Sequence, residues 1–148
     1  MSSPMPHHYR VSLIQEGQHA VLSGGVKPPI IGGPPPEFGG SPAWWSPEHL
    51  LLSAVNLCFL ATFRSIAERG GVTIDTYEGE ADGVLDRTPA GLTFVSIDLR
   101  VSVRVAAGHA QLTERLLETA KRHCIVANSL KTPIRLEASV VEEQTLPA

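Results

Sequence analysis

The chain is poor in cysteine, in aromatic residues and in charge, and each shortage closes off a class of protein. Two cysteines in 148 residues are too few for a disulfide-stapled secreted scaffold. They stand 66 residues apart, at Cys58 and Cys124, and no C-x-x-C or H-x-x-x-H spacing occurs, so no zinc ribbon is expected. Charged residues make up 18% of the chain and the net charge is −3. With Lys and Arg scattered, there is no footprint for nucleic acid. No apolar stretch reaches the ~18–20 residues of a membrane span. The segment Met1–His8 has the marks of neither a signal nor a transit peptide, which makes the cytoplasm the expected compartment. At 43% hydrophobic residues the chain has the apolar content of a folded protein. Its length fits one domain over residues 1–148, with 1–8 as a flexible tail, or one subunit's share of a jointly built core.

Proline is present but unevenly placed. Nine of the twelve fall within residues 1–47, which read as short strands broken by turns. Tyr9–Ile14 and His19–Ser23 predict a hairpin around residues 15–18, with Lys27–Ile31 as a third strand or edge. Residues 32–42, rich in Gly and Pro, predict a loop. Ser46-Pro47-Glu48 then gives the clearest helix start: a capping hydroxyl, proline at the first helical position and a carboxylate facing the positive end of the dipole. The run Leu50–Phe63 is apolar on nearly every side, so its first four turns are expected to be buried all round. Gly70-Gly71 supplies the stop. A chain this short has difficulty enclosing such a helix by itself, and a second copy covering it is the simplest solution.

Residues 73–85 are weakly patterned around Asp82-Gly83 and need not be one strand. From Phe94 to Val105 the alternation is strict, with Val95, Ile97, Leu99, Val101, Val103 and Val105 on one face. Gly108 leads into an amphipathic helix striped by Leu112, Leu116, Leu117 and Ala120, which Cys124 continues if the helix persists. A short helical piece over 125–130 and a last strand through Ile134–Val140 complete an α+β fold built on antiparallel sheet.

Three residues are candidates for chemistry: Cys58, Cys124 and Glu48. Taken singly, each cysteine also reads as a small core residue and Glu48 as a dipole partner worth ~0.3–1 kcal/mol. Their ordered context carries more. Trp45-Ser46-Pro47-Glu48-His49-Leu50-Leu51, Asn56-Leu57-Cys58-Phe59, a strand pair, and His123-Cys124-Ile125-Val126-Ala127-Asn128-Ser129-Leu130 together resemble the OsmC/Ohr (osmotically induced protein C / organic hydroperoxide resistance) family, OsmC-like branch, from about Pro35 onward.

The resemblance implies an OsmC-like fold with a long buried central helix and an intertwined homodimer with two thiol sites at the interface. It implies a peroxidase in which Cys58 attacks an organic hydroperoxide and becomes a sulfenic acid. Cys124 then resolves that acid to a disulfide, and an external dithiol reductant reopens it. No metal or other cofactor is implied. Glu48 would pair with an arginine that holds the reactive thiolate.

Residue physics constrains that picture. Ten helical residues separate Glu48 from Cys58, a rise of ~15 Å, so a site using both needs the chain to fold back or a partner subunit. Cys58 in apolar surroundings is expected to be inert unless a cation or a helix N-terminus stabilises its thiolate. No arginine lies between Arg10 and Arg64, Phe38 stands where one branch of the family carries its arginine, and Ile125 follows Cys124 where the peroxidases commonly have proline. Arg10 is the candidate cation, although it also reads as a solvent-facing strand residue. His49 and His123 are further candidates that also read as surface residues. The alternative function is a non-catalytic binding protein for a small apolar ligand, its pocket lined by Trp44-Trp45.

Overall fold

A tight turn at Gly17, with φ at 64°, joins β1 (Ser12–Glu16) to β2 (His19–Ser23), and β3 (Ile30–Gly32) pairs on the other side of β2. Both pairings are antiparallel, with Glu16 opposite His19. The first strand therefore starts two residues after Arg10. The turn takes only Gly17 and Gln18, which draws Gln15 and Glu16 into the ladder and leaves Tyr9 and Arg10 outside it. The structure, a computed structural model, describes residues 3–144. Of the expected tail, residues 1 and 2 lie outside the described residues, and 3–8 are exposed without helix or strand.

The chain forms two compact units, one up to Leu50 and one from Leu51 onward. The first holds this sheet, one 3-10 turn (Pro36–Phe38) and the beginning of α1 (Pro47–Arg69). Ser46 caps α1, its hydroxyl accepting the His49 backbone N–H at 3.1 Å, as the Ser-Pro-Glu start predicts. The far end closes as the two glycines predict. Val72 N–H reaches the Ala67 carbonyl at 2.9 Å and Gly71 N–H the Glu68 carbonyl at 3.2 Å. Gly71 supplies the left-handed residue, at φ 75°, that this helix stop requires.

The second unit sets α1 against a three-stranded sheet of order β4-β5-β6, formed by β4 (Ile74–Thr88), β5 (Gly91–Val105) and β6 (Ile134–Glu142). Residues 74–88 are one long strand despite Asp82-Gly83, because they pair antiparallel with β5 along their length. Gly83 does not turn the chain. A Cβ there would come within 2.6 Å of the Phe94 ring and 2.9 Å of Leu52, so glycine permits close packing instead. Ile97, Leu99, Val101, Val103 and Val105 are buried as their alternation predicts, whereas Val95 is 40% exposed. The ladder shifts register there, pairing Val84 with Ser96 and Leu85 with Phe94, which leaves Val95 as an extra, unpaired residue.

β6 corrects the antiparallel expectation, because it runs parallel to β5 with Leu99 opposite Leu136. Between them lie α2 (Ala110–His123) and α3 (Ile125–Asn128). A helical crossover returns the chain to the same end of the sheet, and the next strand must then be parallel.

In α1 the expected burial on every side is not found in the single chain. Val55, Phe59, Phe63 and Ala67 form one buried stripe, while Leu57 is 67% exposed. The reason is geometric: one sheet covers only one face of a helix. The stripe is fixed by Asn56 Nδ2 donating to the Gly79 carbonyl at 2.9 Å and by the Phe63 and Tyr77 rings 6.0 Å apart. By length and composition α1 is long and apolar enough to cross a membrane, with a mean hydropathy of 1.7 over 18 residues, which the interrupted apolar run conceals. Its stripe belongs instead to the core of this unit.

Phe63 is fully buried at the centre of that core. Phe63→Ala is expected to destabilise the fold by about 3–5 kcal/mol, the usual range for a buried aromatic truncated to alanine, measured as a lowered urea midpoint with an unchanged slope.

Candidate active site

The chain breaks out of helix at Cys124, and the site is built on that break. α2 ends at His123, and Cys124 has extended backbone angles, φ −69° and ψ 110°, before α3 begins at Ile125. The helix expected to carry Cys124 on its stripe thus stops one residue earlier, yet the side chain is still buried, at 1% exposure. The first backbone bond of α3 runs from Asn128 N–H to the Cys124 carbonyl at 2.9 Å. The N–H groups of Ile125, Val126 and Ala127 precede it and have no partner within the helix.

Those amides face the sulfur atoms. Val126 N–H donates to Cys58 Sγ at 3.5 Å, and the two thiols lie close enough for each to shift the other's acidity. The structure therefore brings Cys58 and Cys124 together across 66 residues of sequence. Both thiols are free, Cys58 half-buried and Cys124 buried.

Their environments push them apart in acidity. Burial raises the Cys58 thiol, but the Val126 amide, the Cys124 thiol, the Thr62 hydroxyl and the Ile125 amide more than offset it, and Cys58 lies below its ordinary value. Burial also raises Cys124, and the hydrogen bond and charge of Cys58 add to that rise. The Ala127 and Val126 amides pull the other way without prevailing. Cys58 is thus the better thiolate and Cys124 the better-protected thiol. The upward shift expected of Cys58 from its apolar neighbours is opposed by the Val126 amide, the Cys124 thiol and the Thr62 hydroxyl. Nearby, the Tyr77 hydroxyl is buried without a hydrogen-bond partner, and burial together with charge on Cys124 holds it well above its ordinary value.

A cavity of about 150 Å³ adjoins Cys124. Val55 and Phe59 of α1, with Leu99, Ile134 and Leu136 of the sheet, give it apolar walls, and Lys121 and Asn128 give it polar ones.

Glu48 and Arg10 belong to the first unit. Glu48 stands in the first turn of α1 with Oε2 buried and unpartnered. Arg10 is exposed ahead of β1, and no ion pair joins it to Glu48 among the described residues. His49 Nδ1 lies 2.6 Å from the Ser46 hydroxyl, which makes it part of the helix cap, while His123 is an exposed residue at the end of α2. Trp44 packs against His19 with ring centroids 5.6 Å apart, and Trp44, Trp45 and His49 line a separate cavity of about 220 Å³. Among the described residues no group of three or more His, Cys, Asp or Glu is placed to hold a metal ion.

Sequence reasoning missed Thr62, Tyr77 and the 125–126 amides. Thr62 was findable, since it lies four residues after Cys58 and on the same helix face. The amides carry no residue-type signal, and Tyr77 sits in a strand whose pattern is weak.

The family model described as OsmC-like protein matches residues 40–139, a span that holds Glu48, Cys58 and Cys124 but not Arg10. In sequence the chain is similar to the uncharacterized protein YmaD of Bacillus subtilis, 27% identical over 112 residues that cover 72% of this chain and 75% of YmaD. It is also similar to peroxiredoxin OsmC of Escherichia coli, 29% identical over 92 residues that cover 62% of this chain and 64% of that protein. In structure it is similar to an OsmC-like protein of unknown function from Vibrio cholerae, with a TM-score of 0.83 and 19% identity over 90% of this chain and 100% of that one. At that identity the likeness speaks for the fold alone.

The reactivity of each thiol follows its thiolate fraction. Because Cys58 is lowered, its alkylation rate is expected to reach half its maximum below pH 9.0, the ordinary thiol value, and that of Cys124 to do so above it. Iodoacetamide labelling mapped by peptide mass spectrometry measures both midpoints. A Cys58 midpoint at or above that of Cys124 contradicts the geometry.

Proposed function

The chain belongs to the OsmC-like protein family, and from that premise we propose that it is a thiol-dependent peroxidase that reduces organic hydroperoxides. The observation that carries this reading is the Val126 backbone N–H donating to the free Cys58 sulfur at 3.5 Å, next to the buried free thiol of Cys124. The name of the Escherichia coli relative, peroxiredoxin OsmC, supports a peroxide-related redox role.

The Cys58 thiolate attacks the terminal oxygen of the hydroperoxide. The O–O bond breaks, Cys58 becomes a sulfenic acid, and the alkoxide leaves and takes up a proton. The Cys124 thiol then attacks the Cys58 sulfur, releasing water and forming the disulfide, a reversible segment of the cysteine oxidation ladder. An external dithiol returns both thiols, and no metal or bound cofactor enters the cycle. Apolar residues around the pair favour a hydroperoxide with a hydrocarbon substituent over hydrogen peroxide.

A homodimer is part of the reading. Leu57 on α1 and Leu13 and Ile14 on β1 are 67%, 65% and 71% exposed, which is apolar surface that a second copy would bury. Glu48, with its unpartnered oxygen, is proposed as the carboxylate that fixes a cation near the thiolate across that dimer, with Arg10 as the candidate cation.

The cavity beside Trp44 and Trp45 favours a second reading, a non-catalytic binding protein for a small apolar ligand. Tryptophan fluorescence that responds to fatty-acid-like ligands, in a protein that consumes no hydroperoxide, would select it.

Cys58→Ser is expected to reduce cumene hydroperoxide consumption to the uncatalysed rate. Cys124→Ser is expected to allow one oxidation of Cys58 per chain and then stall. Consumption by Cys58→Ser equal to that of the unmodified protein contradicts the peroxidase.

A further inference from the structure

The cavity beside Cys124 is lined by that cysteine and not by Cys58. At about 150 Å³ it has room for a group the size of a benzene ring. Phe59, Leu99 and Leu136 make its walls apolar. Lys121 gives it a positive charge, and this lysine is exposed and forms no ion pair among the described residues. It lies in the basic last turn of α2, Lys121-Arg122-His123, which ends beside Cys124.

We propose that this cavity is the entry for the thiol that reopens the Cys58–Cys124 disulfide, and that an organic thiol with a short apolar stem and an anionic end, held by Lys121, attacks the Cys124 sulfur. The inference rests on the two-thiol reading above and adds which sulfur is attacked, from which side, and by what class of reductant. The incoming thiolate forms a sulfur–sulfur bond to Cys124 while the Cys58–Cys124 bond breaks, and the electron pair of that bond leaves on Cys58 as thiolate. A second thiol of the reductant then displaces Cys124 from the mixed disulfide, and Cys124 takes up a proton. In sum, one protein disulfide is reduced and two reductant thiols are oxidised.

Two effects compete over which sulfur is attacked. Exposure favours Cys58, since Cys124 is buried. Leaving-group stability favours attack on Cys124, because the more acidic thiol departs faster. Cys58 leaves onto the Val126 amide, whereas expelled Cys124 would carry its charge in a buried position that raises it. The cavity settles the competition by giving the buried sulfur an approach of its own.

The test uses the full chain oxidised to the disulfide with diamide, which bypasses hydroperoxide chemistry and so separates failure here from failure of the peroxidase reading. The disulfide is treated with mercaptopropionate or its uncharged amide at equal thiolate concentration, quenched in acid, and the mixed disulfide is mapped by peptide mass spectrometry. The adduct is expected on Cys124 with Cys58 free. Mercaptopropionate is expected to react faster than its amide, and Lys121→Met is expected to reduce that preference about 2- to 5-fold, the range of an exposed ion pair. An adduct on Cys58, or a preference unchanged in Lys121→Met, overturns the proposal. A diamide-treated protein without an intramolecular disulfide overturns it together with the two-thiol reading.

Discussion

The hydrogen bond from the Val126 backbone to the Cys58 sulfur depends on a single interruption of the chain, and much of the site depends on that bond. If α2 ran unbroken through Cys124, the amides of residues 125–127 would be consumed by carbonyls one turn earlier. The extended backbone at Cys124 ends one helix and starts another, which frees those amides and turns Ile125 and Val126 toward the Cys58 sulfur on α1. A buried thiol in apolar surroundings should hold its proton. Here the cost of burial is opposed by dipoles the backbone already carries, so a lowered thiol arises with no arginine beside it in this unit.

The rest of the second unit keeps donor and acceptor in register. α1 brings Cys58 because its Val55–Ala67 stripe is seated on β4 and β5 and pinned by Asn56 to Gly79. The break at Cys124 is held because α2 and α3 are the crossover between two parallel strands, β5 and β6, which share one register over their length. The same packing leaves Cys124 buried beside a small apolar cavity. One bend in the chain thus gives two sulfur atoms unlike environments and shifts their acidities in opposite directions.

Helix ends and the central strand were legible in the sequence because they depend on local chemistry. Ser46-Pro47-Glu48 and Gly70-Gly71 mark α1 within a residue, and the alternation through Ile97–Val105 marks β5. Elements set by pairing were less legible. Asp82-Gly83 weakens the strand pattern of residues 73–85, yet glycine there makes room for Phe94 and Leu52. The direction of β6 follows from the crossover and not from its own residues. Cys58 and Cys124 stand out by type and context, whereas the groups that tune them are backbone amides, which no residue type announces. Of the two stabilisers open to Cys58, a cation or a helix N-terminus, it is the main chain at the start of α3 that lies beside the sulfur in this unit.

On the reading proposed above, Cys58 and Cys124 form one redox pair within a chain, with Cys58 the more acidic thiol. The most direct measurement is intact mass and free-thiol count after one equivalent of cumene hydroperoxide is added to the fully reduced protein. The expected result is rapid loss of both thiols, a mass lower by two hydrogens, and no cross-linked dimer. Thiols that persist after the addition, or a disulfide found only between chains, would contradict it.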